Sequence, residues 1–410
     1  MNYLLAIDQG TSSTRAMLYT LHGILVASSQ YPLNQNYPKP GWVEHDPEEI
    51  WQKTLAAMRD VVAQFSVDQI ISCGLTNQRE TTVIWNKETG ACLSPAIVWQ
   101  DRRTAEYCQT LIADKFIIQE KTGLIPDPYF SATKLKWLLE NIPEATQLAK
   151  KGELAFGTID SFLIWRLTKE HLHLTDVTNA SRTMLFNIKS EQWDLDLLEY
   201  FAIPESILPK VCASDDHFGM IDKKWLGAEL AITGVAGDQQ TSSDETEILA
   251  SSLEGNDGVY LVSAFTGLGA PHWISTSGAI IVGLSLSSNR AHFARAALEG
   301  VCYQTREICF CMREDSQLNL SLLRVDGGMA ANRWFLQFLA DQCQMQVQKP
   351  KDIETTAKGA AILAAIGCGI YNSLDEVQAI WDAELNFRPQ RSLEQVEMDY
   401  RGWTYALNKM

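Results

Sequence analysis

Four short polar stretches, each placed at the end of an apolar run, hold the residue types that could do chemistry. The first is Asp8-Gln9-Gly10-Thr11-Ser12-Ser13-Thr14-Arg15. A glycine lets backbone N–H groups approach phosphate oxygens, and the hydroxyls of Thr11, Ser12 and Ser13 add donors without bulk. Asp8 at a strand end could hold a magnesium ion, directly or through water. Arg15 supplies a fixed positive charge. An ordinary polar hairpin turn has the same spacing. The second stretch is Gly74-Leu75-Thr76-Asn77-Gln78-Arg79-Glu80-Thr81-Thr82. Arg79 offers a donor fork and Glu80 an acceptor, which suits a vicinal diol. A solvated turn with an incidental ion pair is the plainer alternative.

The third stretch, Gly234-Val235-Ala236-Gly237-Asp238-Gln239-Gln240, delivers a carboxylate to a strand end between glycines that leave room for a ligand. Asp238 has the chemistry of a base facing a hydroxyl, and Gln239 can both donate and accept. A helix-capping aspartate would read alike. The fourth, Val325-Asp326-Gly327-Gly328-Met329-Ala330-Ala331-Asn332, joins a strand to a helix start through a double glycine. Such a junction admits a nucleotide against the backbone and attracts negative charge. No Lys-Ser or Lys-Thr follows, so it is not a Walker A loop.

The elements that must position these stretches follow from periodicity. Residues 4–7 and 15–19 read as two strands of a hairpin, and 70–75 and 81–85 as further strands. Asp46-Pro47 gives a cap followed by proline at the first helical position. Trp51, Leu55, Met58, Val62 and Phe65 then repeat in steps of four and three, which predicts an amphipathic helix. Residues 134–139, 161–167 and 192–201 read as short helices. In the second half, 231–236, 259–262, 280–284 and 322–325 read as strands, and 291–312, 332–343 and 355–366 as helices. The mixture is α/β.

At 410 residues the chain is long enough for two cores, and the pattern breaks near residue 235. A net charge of −16 disfavours nucleic acid as a partner. No apolar run approaches the length of a membrane span, and the N-terminus lacks a secretory pattern. The nine cysteines are scattered without a Cys-x-x-Cys pair, as expected of reduced thiols in a cytoplasmic protein. The histidines are dispersed, so a zinc site is not expected.

All four stretches, in this order, resemble the FGGY carbohydrate kinases of the actin, hexokinase and Hsp70 superfamily. Further phrases carry the resemblance: Pro40-Gly41-Trp42-Val43-Glu44-His45-Asp46-Pro47, Ile97-Val98-Trp99-Gln100-Asp101-Arg102-Arg103, Asp127-Pro128-Tyr129-Phe130-Ser131 and Ala264-Phe265-Thr266-Gly267-Leu268-Gly269-Ala270-Pro271. In detail they resemble the branch that phosphorylates glycerol, and the resemblance runs from residue 3 to about residue 405.

The resemblance implies two ribonuclease H-like domains around a central cleft, 1–235 with the polyol pocket and first phosphate loop, and 236–410 with the catalytic aspartate and nucleotide site. It implies that Arg79, Glu80, Tyr129, Asp238 and Gln239 bind glycerol and that Trp99 packs against its carbons. It assigns Thr11, Ser12, Ser13 and Arg15 to the phosphates of ATP, and Gly328 and Asn332 to its base and sugar. Asp8 is implied in magnesium binding and Asp238 as the catalytic base. It also implies assembly as a homodimer or homotetramer.

The chain departs from the family pattern after Gln240. There the family has a long stretch with a second phosphate loop, Tyr-Gly-Thr-Gly, and an Ala-Gly-Ala-x-x-Gln helix start. Here sixteen residues separate Gln240 from Asp257 and neither motif is present. The second domain is therefore expected to be incomplete, with a bared sheet edge and an apolar patch. A Gly-Gly-Lys-Gly-Gly loop tied to sugar-bisphosphate control is also missing before Ala231, where Trp225-Leu226-Gly227 stands. Three readings follow: a kinase making sn-glycerol 3-phosphate, a remnant that binds glycerol or a partner without turnover, and a kinase of another polyol or sugar.

Overall fold

A computed structural model describes residues 2–237, 246–264, 268–274, 278–286, 288–318, 320–326, 328–350, 355–373, 376 and 383–410. The chain forms two units, one of residues 1–239 with 356–380, the other of 240–355 with 381–410. A single cut near residue 235 takes no account of 356–380, which returns to the first unit. Among the described residues no helix is long and apolar enough to cross a membrane.

The first unit is built on a six-stranded sheet whose centre is β1 (Tyr3–Gln9). β1 pairs antiparallel with β2 (Ser13–Thr20), which pairs with β3 (Leu25–Pro32). On its other side β1 runs parallel to Ile70–Asn77, and that strand runs parallel to Leu230–Gly237. Alternation sends Leu5 and Ile7 of β1 to one face and Leu4 and Ala6 to the other, and both sets are buried.

One face is covered by α1 (Pro47–Val62). Asp46 caps it by accepting from the Glu48 N–H at 2.9 Å, and Ile50, Trp51, Leu55, Met58 and Val61 turn inward, as the spacing predicts. The opposite face is covered by the helix Thr355–Gly367. A Cβ at Gly74 would lie 2.0 Å from the Ala360 carbonyl oxygen. Helix and sheet touch backbone to backbone there, which only a glycine opposite a small-residue helix permits.

The strand ends matter most. Asp8 is in register with Thr76, Gln9 with Asn77, and Asn77 with Gly237. The carboxyl ends of three parallel strands thus bring the first, second and third polar stretches side by side. In open α/β sheets this edge is where ligands bind.

The second unit holds a two-stranded sheet, Tyr260–Val262 with Ile280–Val282, and a three-stranded sheet in the order Leu322–Arg324, Gln346–Pro350, Ala383–Phe387. Its long helix Arg290–Ser316 starts with a capping box at Asn289. Leu322–Arg324 has one strand neighbour among the described residues, and Leu322, Ile308 and Met312 are exposed.

The region predicted as a helix over 192–201 is divided. Gln192–Trp193 pairs with Phe186–Asn187, and the helix runs Leu195–Phe201. Asp194 is the reason, because its carboxylate caps the Leu197 N–H at 3.1 Å and starts the helix after it.

Candidate functional site

The first polar stretch forms the turn between β1 and β2, closed by the Gly10 N–H donating to the Ser13 carbonyl at 2.9 Å. Thr11 is half-buried and Ser12 exposed, so both hydroxyls stand in the turn. Ser13 is buried and accepts from the Gln30 amide at 2.8 Å. Asp8 is buried at the end of β1, and Arg15 lies opposite it in register on β2.

Glu80 sits in the left-handed region at φ 60° and is buried. Its carboxylate accepts from Arg182 Nε at 2.6 Å. Its carbonyl accepts from Ser131 Oγ at 3.1 Å and from Lys134 Nζ at 3.3 Å. The same ammonium donates to the Tyr129 carbonyl at 2.6 Å. One lysine therefore holds the backbones of two candidate residues together. Arg79 lies against Gly237, where an added Cβ would come within 2.1 Å of its Cδ, so the glycine makes room for the guanidinium. Arg79 Nε is buried with no hydrogen-bond partner among the described residues.

Trp99 and Tyr129 form an aromatic wall, with ring centroids 5.5 Å apart. The Trp99 indole N–H donates to Thr11 Oγ1 at 2.9 Å, which joins the wall to the turn between β1 and β2. Tyr129 is set by its N–H donating to Asp127 at 2.8 Å, and Asp127 is in turn held by Arg102 at 3.0 Å. Beneath the site Asn77 and Asn179 exchange amide hydrogen bonds at 3.0 and 3.1 Å.

Burial governs the electrostatics. It raises the Glu80 carboxyl above its ordinary value, and Arg182 opposes that rise. It pushes the Tyr129 phenol up to about 12 and the Lys134 ammonium down to about 8. Together these residues offer a carboxylate, a guanidinium and two aromatic faces beside a turn of hydroxyls. Such a set can hold a small polyol by its hydroxyls and carbons.

Asp238 and Gln239 follow Gly237 directly and lie outside the described residues. Gly328 opens a 3-10 turn in the second unit. Asn332 caps the helix Arg333–Cys343, its side chain accepting from the Phe335 N–H at 2.8 Å. That gives Asn332 a structural duty which the sequence reading did not include.

The profile of the FGGY family of carbohydrate kinases, N-terminal domain, matches residues 3–243, and that of the family's C-terminal domain matches residues 219–368. The chain belongs to the FGGY family of carbohydrate kinases. A glycerol kinase of Gluconobacter oxydans (strain 621H) is 40% identical, with 99% of this chain and 95% of that protein covered. A glycerol kinase of Rhodopirellula baltica is 41% identical, with 99% and 90% covered. The crystal structure of Plasmodium falciparum glycerol kinase with ADP superposes with a TM-score of 0.86 at 30% identity, covering 100% of this chain and 98% of that one. This FGGY chain thus has the two-domain sugar-kinase fold. The alignment with the Gluconobacter protein spans 485 positions against 410 residues here, so at least 75 positions have no counterpart in this chain.

Magnesium is the metal that this FGGY chain's chemistry suggests. Among the described residues no group of three or more His, Cys, Asp or Glu could cage a metal. A buried carboxylate at a strand end nevertheless fits magnesium, which usually takes one or two carboxylates and fills its shell with water and substrate phosphates. Asp8 is the residue that would hold it.

Sequence reasoning missed Arg182 and Lys134. Arg182 stands in Asn179-Ala180-Ser181-Arg182-Thr183 and Lys134 in an unremarkable helical stretch. The one available signal was that Glu80, once buried, requires a cation.

Proposed function

We propose that this chain binds glycerol at the Arg79, Glu80, Trp99 and Tyr129 cluster and transfers the γ-phosphoryl group of ATP to a terminal hydroxyl, giving sn-glycerol 3-phosphate. The observation that supports the reading is the 2.9 Å hydrogen bond between the Trp99 indole and Thr11, which joins the Trp99–Tyr129 wall to the turn between β1 and β2. The similarity to glycerol kinases over nearly the whole chain supports the same substrate.

Each residue then has a task. Glu80, anchored by Arg182, accepts from one hydroxyl and Arg79 donates to another. Trp99 and Tyr129 cover the carbons. Asp238 takes the proton of the attacking hydroxyl, a service worth about 10²–10⁴-fold, while Gln239 orients the same end of the substrate. The hydroxyl oxygen bonds the γ-phosphorus as the bond to the bridging oxygen breaks, and ADP leaves with that electron pair. Thr11, Ser12 and Ser13 with Arg15 meet the phosphates, and Gly328 and Asn332 the base and sugar. Asp8 would hold magnesium, which would supply positive charge against the triphosphate. Residues 1–235 would carry the polyol pocket and 236–410 the nucleotide half. We also propose a cytoplasmic homodimer or homotetramer, a setting that suits nine unpaired cysteines.

The uncounterparted 75 positions favour a second reading, in which glycerol binds without turnover. A coupled assay with glycerol, ATP and magnesium separates the two. Turnover abolished by Asp238→Asn supports the kinase. Calorimetric glycerol binding with no turnover supports the remnant, and turnover of xylulose or gluconate in preference to glycerol would overturn both.

A further inference from the structure

Within the first unit a closed circuit of hydrogen bonds links the polyol wall to the phosphate turn. The Trp99 backbone N–H donates to Thr81 Oγ1 at 3.3 Å. The Thr81 hydroxyl donates to Gln78 Oε1 at 3.0 Å. Gln78 Nε2 donates to Gln9 Oε1 at 3.2 Å and to the Gly10 carbonyl at 3.3 Å. The Trp99 indole N–H donates to Thr11 Oγ1, the residue after Gly10, and the circuit is complete. Gln78 and Thr81 are fully buried, so water does not compete for these bonds.

The direction of each bond is fixed, and both arms start from donors of Trp99. A backbone N–H can only donate, so Thr81 must accept from Trp99 and spend its own hydrogen on Gln78. Gln78 Oε1 is then the acceptor, which fixes the amide and points its NH₂ at the turn. His45 Nδ1 lies 3.3 Å from that NH₂. Burial holds His45 down to about 4, so it is neutral, and its Nδ1 shares the two amide hydrogens of Gln78 with Gln9 Oε1 and the Gly10 carbonyl. An indole N–H also only donates, so Thr11 must accept from Trp99. Its hydroxyl hydrogen is thereby left for another acceptor.

We infer that Thr81, with Gln78, is a positioning residue that couples the two halves of the site, so that a polyol seated on Trp99 sets the Thr11 hydroxyl toward the phosphoryl group. The inference rests on the proposed glycerol and ATP sites. Thr81 touches neither ligand; it acts through Trp99 and Gln78.

The test is calorimetric binding of β,γ-imido-ATP with magnesium, in the presence and absence of saturating glycerol. Glycerol should tighten the analogue by about fivefold or more in the unaltered protein, the low end of ordinary coupling. Thr81→Ser, which keeps the hydroxyl, should retain that factor. Thr81→Val, of the same shape without the hydroxyl, should lose it while still binding glycerol alone. Should Thr81→Val not fold, Gln78→Glu keeps the acceptor for Thr81 and drops the donor to Gly10, with the same expected loss. Coupling undiminished in these variants would overturn the inference, as would an unaltered protein that binds both ligands independently. A protein that binds no glycerol would overturn the proposed function and this inference together.

Discussion

Glu80 and Arg182, 102 residues apart in the chain, meet through a 2.6 Å hydrogen bond at the floor of the candidate polyol site. The carboxylate is almost wholly enclosed, whereas the guanidinium side chain keeps about a quarter of its surface exposed. The arginine also packs its Cζ 5.0 Å from the Phe130 ring and 5.7 Å from the Tyr129 ring. It thus neutralises the acceptor and braces the wall.

Replacing Arg182 with methionine should leave that carboxylate buried without its cation. Breaking one side of such a pair costs about 3 kcal/mol. Thermal unfolding should show a clear loss of stability, and calorimetric glycerol titration a loss of binding. A variant that binds glycerol as the unaltered protein does would remove Glu80 from the proposed site.

Lys134 should impose a pH signature on stability. Its pKa is about 8 in the fold, lowered chiefly by burial, against an ordinary value above 10 when unfolded. Below pH 8 both states hold the proton and the full cost of burying the charge is present. Between pH 8 and roughly 10 the unfolded chain binds more protons than the native one, so this group makes stability rise with pH, by up to about 1.4 kcal/mol per unit. Urea unfolding of the unaltered protein and Lys134→Met across pH 7–10 should show that rise only in the former.

Gly74→Ala should be severe for a surface-independent reason. The new methyl would meet the Ala360 carbonyl oxygen at 2.0 Å, and backbone cannot swing aside as a side chain can. A cost of about 3 kcal/mol is expected, the upper end for overpacking. A lowered urea midpoint with unchanged slope would report it, and a near-neutral result would refute the close helix–sheet contact.

Restoring the missing segment should raise activity if the chain is an impaired kinase. Each lost phosphate donor is worth about 10²–10³ in rate. A chimaera carrying the corresponding segment of the Gluconobacter glycerol kinase after Gln240 should therefore turn over at least about a hundredfold faster. Equal rates would mean that the segment supplies no catalytic group here.

Much of this architecture is legible from local pattern. The strands β1, Ile70–Asn77 and Leu230–Gly237 are apolar runs ended by polar motifs, and α1 announces itself through Asp46-Pro47 and its apolar spacing. The pairing of three motifs at one sheet edge follows once the strands are recognised as parallel. Arg182 was invisible because its partner Glu80 lies 102 residues off, and Lys134 because its bond to Glu80 spans 54 residues, although its bond to Tyr129 spans five. Gln78 and Thr81 were read only as part of a polar run, since the direction of a hydrogen bond is a property of three-dimensional placement. The family resemblance assigns Asn332 to the nucleotide, and its capping bond to Phe335 is a local signal that was equally available.

The return of residues 356–380 to the first unit also has a consequence for dissection. Ala357, Ala361 and Ala365 close one face of the sheet against Leu4, Ala6, Met17 and Tyr19. A gene split or protease nick at residue 240 would sever the chain between a sheet and its own lid of alanines. Linear halves of this polypeptide are therefore not its natural building blocks; a self-sufficient first fragment would have to be stitched from two non-adjacent stretches.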